Sequence, residues 1–238
     1  RYVGVNFNSQ GNPNLKPSDN YNLDLKWDFN PTPTELISLT AFYKLIKNPI
    51  SRIEVASAGG YLSYENIADK ATVAGVEIEI RKNLFVRPVS NAAHGMNKLS
   101  LGLNGSYIYT NAKMPLATVT TGSQLEGAAP WIVNFDLSHN FTKGERSFVN
   151  TLVLNYVSDK IYTIGTQGYQ DMMEQGVLTL DFVSQAKLNK HLSLNLKARN
   201  LLNPSYKLSR KANENGEKVI LNDYKKGINI SLGVSCTF

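Results

Sequence analysis

No stretch of this 238-residue chain approaches the ~18 consecutive apolar residues of a membrane-spanning helix, and its mean hydropathy is slightly negative. A helical membrane protein is therefore not expected. A barrel crossed by strands is not, because only alternate residues of such a strand face lipid. One cysteine, Cys236, excludes an internal disulfide. Three histidines, His94, His139 and His191, stand far apart without metal-ligand spacing, so no metal site is expected. The 25 Lys and Arg are interleaved with 19 Asp and Glu, giving a net charge of +6 but no basic cluster to track a phosphate backbone. Nucleic acid is not an expected partner. No Gly-rich phosphate loop or nucleophile elbow occurs, and no acid, base and nucleophile combine into a catalytic constellation, so neither enzyme activity nor a cofactor is expected. Arg1 does not open the charged, apolar and small-residue succession of a signal peptide.

What the chain does have is alternation. Gly227 to Phe238 places Ile228, Ile230, Leu232, Val234, Cys236 and Phe238 on one side, and small or polar residues on the other. That is one β-strand about as long as a tilted crossing of a bilayer requires. The same period of two recurs over Tyr21–Phe29, Glu35–Lys47, Thr72–Lys82, Lys98–Thr110, Trp131–Phe141, Phe148–Tyr156, Val177–Leu188 and Leu192–Asn200, making nine predicted strands. Two residues break the apolar side, His139 in the fifth and Asn150 in the sixth.

Connections alternate too. Short links at Asn30–Thr34, Thr142–Ser147 and Asn189–His191 take turns with long ones at Asn48–Ala71, Asn111–Pro130, Val157–Gly176 and Leu201–Lys226. The Asn83–Asn97 link should be short by parity, yet it counts about fifteen residues by this reading. Short turns at one end and long loops at the other are the asymmetry of an up-and-down outer-membrane barrel. Aromatics on the apolar side gather at strand ends: Tyr21, Trp27 and Phe29; Tyr107 and Tyr109; Trp131 and Phe141; Phe148 and Tyr156. Rings at both rims of an aliphatic band are the girdles that sit at the headgroup level.

Glu77 and Glu79 share the polar side with Arg81 and are expected to be wetted lumen residues. Asn104-Gly-Ser106 and Asn140-Phe-Thr142 match the glycosylation triplet but fall in or beside strands. The candidate ligand contacts lie in the long loops: Arg52, Tyr61 and Tyr64; Tyr162, Gln167, Tyr169 and Asp171; Arg210, Lys211 and Tyr224. Tyr and Arg supply stacking and planar hydrogen bonds to a ligand entering a barrel mouth.

Several segments resemble the C-terminal barrel of TonB-dependent outer-membrane receptors. Gly11-Asn12-Pro13-Asn14-Leu15-Lys16-Pro17-Ser18-Asp19-Asn20 is similar to the family's GNPxLKPE stretch, and Ala71-Thr72-Val73-Ala74-Gly75-Val76-Glu77 to its A-x-x-x-GVE strand. Ala198-Arg199-Asn200-Leu201-Leu202-Asn203-Pro204-Ser205-Tyr206 resembles its NLxNxxY segment. Ile230, Leu232, Val234 and the terminal Phe238 resemble the signal read by the barrel-assembly machinery.

The resemblance implies an all-β, antiparallel up-and-down transmembrane barrel of about 22 strands, of which residues 1–238 would be an incomplete C-terminal set of about nine, without the plug domain. It implies a cell outer membrane location in a Gram-negative bacterium and import of a scarce ligand such as a siderophore, haem, glycan or peptide. Implied partners are outer-membrane lipid, the plug and N-terminal strands of the same receptor, the TonB energy-coupling complex reached through them, the barrel-assembly machinery and a surface lipoprotein. The alternatives are a passive porin-like barrel and a soluble β-sandwich adhesin or carbohydrate-binding module.

Overall fold

The computed structural model describes residues 2–3, 8–55, 61–89, 95–114, 124–212 and 216–237; His94 and Phe238 lie outside them. No α-helix is present among the described residues. Nine strands, β1 (Asp19–Phe29), β2 (Leu36–Lys47), β3 (Lys70–Pro88), β4 (Met96–Ala112), β5 (Trp131–Lys143), β6 (Arg146–Val157), β7 (Val177–Lys187), β8 (Leu192–Arg199) and β9 (Asn229–Cys236), form one antiparallel sheet. Each pairs with its neighbours in chain order, so the sheet is an uninterrupted meander with β1 and β9 at its edges.

The fifteen-residue link that broke the parity shortens. β3 continues to Pro88, which pairs with Met96, and the connection is 89–95. A β-bulge between Asn83 and Phe85 explains the misreading, since one extra residue shifts the alternation and a period of two appears to stop at Lys82. At the other end of the chain, Gly227 adopts a φ of 79° and ends the loop, so β9 begins at Asn229.

Register places the apolar residues of neighbouring strands in continuous rows. One row runs through Ile230, Ala198, Phe182, Leu152, Leu137 and Leu101 and reaches the charged Lys82 on β3. Lys82 is one position past Arg81, the residue of β3 that pairs with Leu36 at the start of β2. The second residue of β9 therefore lies level with a point beyond the short-turn ends of β1 and β2. Such a stagger is what closing a barrel from strands tilted by ~35–45° requires.

Among the described residues, no second sheet layers on the apolar side. Leu23 is 72% exposed and Ile230 69%, while Leu101 and Leu194 are only half-buried by their own neighbours. Two aromatic pairs meet in register on that side, Tyr107 with Trp131 at 4.6 Å near the long-loop end and Phe141 with Phe148 at 6.5 Å near the short-turn end. Aliphatic rows lie between them.

The buried core sits elsewhere. Ile53, Ile67, Ala68, Ala71, Ala112, Leu125, Ile161 and Ile164 form one cluster, drawn from the long connections and the strand ends that feed them. Short strands lie among and before these connections, absent from the sequence reading because most are two to six residues long, and Ser205–Lys211 and Lys218–Lys225 lack a sustained apolar–polar alternation. Ile50–Val55 pairs with Tyr61–Asn66, which pairs in parallel with Asn8–Ser9. Lys160–Thr163, Met172–Glu174, Ser205–Lys211 and Lys218–Lys225 make a second small sheet, and a bridge between Ile53 and Ile164 ties the two together.

Candidate functional site

The long-loop end is where the candidate ligand residues meet. In the 48–69 loop, the Arg52 guanidinium lies 4.3 Å from the ring centroid of Tyr162 and donates to Glu126 Oε1 at 2.9 Å. The Arg52 backbone N–H donates to the other oxygen of the same carboxylate. Arg210, from the 200–228 loop, pairs with Glu54 and lies over the Tyr169 ring at 5.4 Å. The two arginines thus link all four long loops through Glu126, Glu54 and two tyrosines. Glu126 and Glu54 were not singled out from the sequence, because nothing local marks a loop carboxylate as the partner of an arginine far along the chain.

Three candidate tyrosines are exposed on this body. Tyr64 is 41% exposed, Tyr169 43% and Tyr224 47%. Tyr224 stacks on Tyr206 with centroids 5.5 Å apart, and the Lys226 ammonium lies 3.7 Å from the centroid of Tyr206. Tyr61 is half-buried, opposite Val55. Gln167 has a φ of 53°, and the Asp171 carboxylate accepts from the Gly165 backbone N–H at 2.8 Å, so both shape the 158–176 turn. Arg210 and Lys211 line a small cavity with Gln170, Asp171, Met173 and Lys218.

The loop bases are clamped by asparagines. Asn66 Nδ2 donates to Lys16 O and Asn48 O, and Asn66 Oδ1 accepts from Lys16 N. Asn12 Nδ2 donates to Tyr64 O at 2.9 Å. At the last loop, Asn200 Nδ2 donates to Gly227 O at 2.7 Å, and Gly227 N donates to Asn203 Oδ1 at 3.1 Å. Asn200 and Asn203 have φ values of 59° and 43°, the left-handed region that asparagine tolerates. The segments 11–20 and 198–206 therefore act as loop anchors.

Below the loops, the polar side of β3, β4 and β5 lines an open cavity with Glu79, Arg81, Lys98, Asn104, Asn134 and Asp136. Glu79 accepts from Arg81 at 2.7 Å, an internal pair rather than an acid-base dyad with Glu77. No cluster of His, Cys, Asp or Glu suited to a metal occurs among the described residues.

An antiparallel meander with an uncovered apolar side, a polar side and loops massed at one end has the layout of a barrel wall. A family model described as TonB dependent receptor-like, beta-barrel, matches residues 2–201. The chain belongs to that family. No curated protein and no solved structure matches it. As a TonB-dependent receptor barrel, its apolar rows are the lipid side and its polar rows the lumen, and the asparagine-anchored loops crown one mouth.

Proposed function

We infer that this chain forms the wall and outer loops of an energy-coupled importer of a scarce ligand in the outer membrane of a Gram-negative bacterium. The observation that carries this reading is the loop body. Three of its four long connections share a buried core, and two arginine-centred links tie in the fourth, where a wide passive pore needs only an open mouth. Within it, Tyr64, Tyr169 and Tyr224 offer exposed rings for stacking on a siderophore, haem, glycan or peptide. Arg52, Tyr162 and Arg210 set the position of the loops that carry them, and Tyr61 is half-buried opposite Val55. Coupling would run through a plug and the TonB complex, and a surface lipoprotein would assist glycan or peptide capture. Ile230, Leu232 and Val234, exposed on the edge strand β9, supply the face that the barrel-assembly machinery would read, together with Phe238.

The test is uptake by cells carrying the whole receptor, offered labelled ferric siderophore, haem, oligosaccharide or peptide in turn. One class should accumulate and stop accumulating when a protonophore collapses the inner-membrane gradient. Entry of many small solutes regardless of the protonophore would instead establish the passive porin.

A further inference from the structure

Two of the polar residues that interrupt the apolar alternation, His139 and Asn150, are register partners. Asn150 pairs directly with His139 on the lipid side, and Ser184 pairs with Asn150 from the other flank. Their polar atoms are organised: Ser184 Oγ donates to Asn150 Oδ1 at 2.7 Å, leaving the amide nitrogen of Asn150 to donate outward, and His139 Nε2 meets Asn97 Oδ1 at 2.8 Å. Along β5 and β6 toward the short turn, the next row on this side holds Phe141 and Phe148, and the row after that Lys143 and Arg146, which pair with each other in register. Arg87 joins from β3, paired with Asn97 and lying 5.4 Å from the Phe85 ring.

Arg87, Lys143 and Arg146 are all exposed, and no carboxylate lies within ion-pair distance of any of them among the described residues. The nearest turn carboxylate, Glu145, is committed to Lys190 at 3.0 Å. From the short-turn rim inward, the surface therefore reads cation, aromatic, hydrogen-bonding polar, aliphatic. A phospholipid leaflet presents the complementary sequence of phosphate, interface, glycerol esters and acyl chain.

We propose that this patch, formed by Arg87, Lys143 and Arg146 with His139 and Asn150 above them, is a binding site for an anionic phospholipid of the leaflet at the short-turn end. The phosphate sits against the three cations. The ester carbonyls accept from the Asn150 amide in the gap that the polar pair opens in the aliphatic band. Net negative charge is required of the occupant because Lys143 and Arg146 at the rim, and Arg87 one row inward and level with Phe141, have no carboxylate partners, and a zwitterionic headgroup would leave them uncompensated. The proposal rests on the lipid-facing assignment of the apolar rows.

The experiment uses the whole receptor in nanodiscs of phosphatidylcholine containing a minority of phosphatidylglycerol, followed by progressive delipidation and mass spectrometry of the retained lipid. The wild type should retain phosphatidylglycerol several-fold over its share of the mixture. Lys143→Gln with Arg146→Gln should abolish that enrichment. Lys225→Gln with Lys226→Gln, at the opposite end, should leave it intact. Equal retention by all three proteins, retention of phosphatidylcholine in its place, or a second receptor copy or other protein occupying the face would overturn the site. Asn150→Leu keeps all three cations, and its enrichment should fall partway. An asymmetric response of Leu103 and Asn104 to arginine, described below, tests the lipid-facing assignment separately, so failure of the headgroup site is distinguishable from failure of the barrel orientation.

Discussion

Arg210 and Glu54 form an ion pair across 156 positions of sequence, joining the last long loop to the first. Their side chains are 15% and 17% exposed, so the pair is shielded from solvent and hydrogen-bonded rather than a screened surface contact. Removing either partner strands a charge in that setting. Arg210→Ala or Glu54→Ala should each destabilise the loop body by ~1.5–3 kcal/mol, and the double variant should cost less than the two added together. Hydrogen exchange of the Ile164 and Glu54 amides, which bond the first long loop to the third at the residue that Arg210 grips, reads that loss. Additive effects would show that the two side chains do not depend on one another.

The barrel orientation has its own test in two adjacent residues of β4. Leu103 lies on the apolar side opposite Phe135, and Asn104 lies on the polar side, where its Oδ1 accepts from Asn134. Leu103→Arg should cost about 2–4 kcal/mol near the middle of the bilayer. Asn104→Arg should be tolerated, because Glu79 is its register partner and supplies a carboxylate. Folding of both variants of the whole receptor into liposomes measures the difference. Equal effects would overturn the assignment of lipid and lumen sides.

How the sequence encoded these features differs by feature. All nine sheet strands were legible because each exceeds three periods of alternation, and the turn asymmetry fixed which ends face together. The register slip at Asn83 was not legible, since a bulge needs no special residue and looks like the end of a strand. The candidate loops were found by their Tyr and Arg content, but their mutual contacts were not. Arg52 with Glu126 and Arg210 with Glu54 are separated by 74 and 156 positions, far beyond any local pattern. Family-like motifs marked real constraints whose physical basis only the structure exposes, as Asn200, Asn203 and Gly75 show.

Gly75, in the segment similar to the GVE strand, lies beneath the Phe42 ring on the lumen side of its cross-strand partner. A Cβ built there would approach Phe42 Cζ to 2.3 Å and Tyr107 O to 2.4 Å. Gly75→Ala should therefore cost ~1–3 kcal/mol through overpacking. Phe42→Ala in the same protein should recover only part of it, because the Tyr107 carbonyl belongs to the backbone and cannot rotate away. Denaturant unfolding in detergent compares the single and double variants. Full recovery would place the whole conflict on the ring, and no cost would mean that β2 and β3 separate more readily than their ladder implies.

The Glu35 carboxyl fastens the β1–β2 turn to β3 and lies outside the membrane-crossing segments. Its Oε1 accepts from the Asn83 backbone N–H at 3.0 Å and from the Lys82 ammonium at 3.1 Å, and its Oε2 accepts from the Thr32 hydroxyl at 3.2 Å. The Asn83 bond first, then Lys82, holds the carboxyl below the ordinary glutamate value. A depressed value means the folded turn favours the ionised form. Its contribution is fully present above the ordinary glutamate range and is lost as pH falls through the lowered one. Acidification should thus loosen the turn from β3, seen as faster opening of the Asn83 amide in hydrogen exchange corrected for its intrinsic rate. Glu35→Gln should open readily at neutral pH and lose most of this pH dependence, because the neutral amide cannot pair with Lys82. An Asn83 amide equally protected across that range in the wild type would show that the carboxylate does not hold the turn.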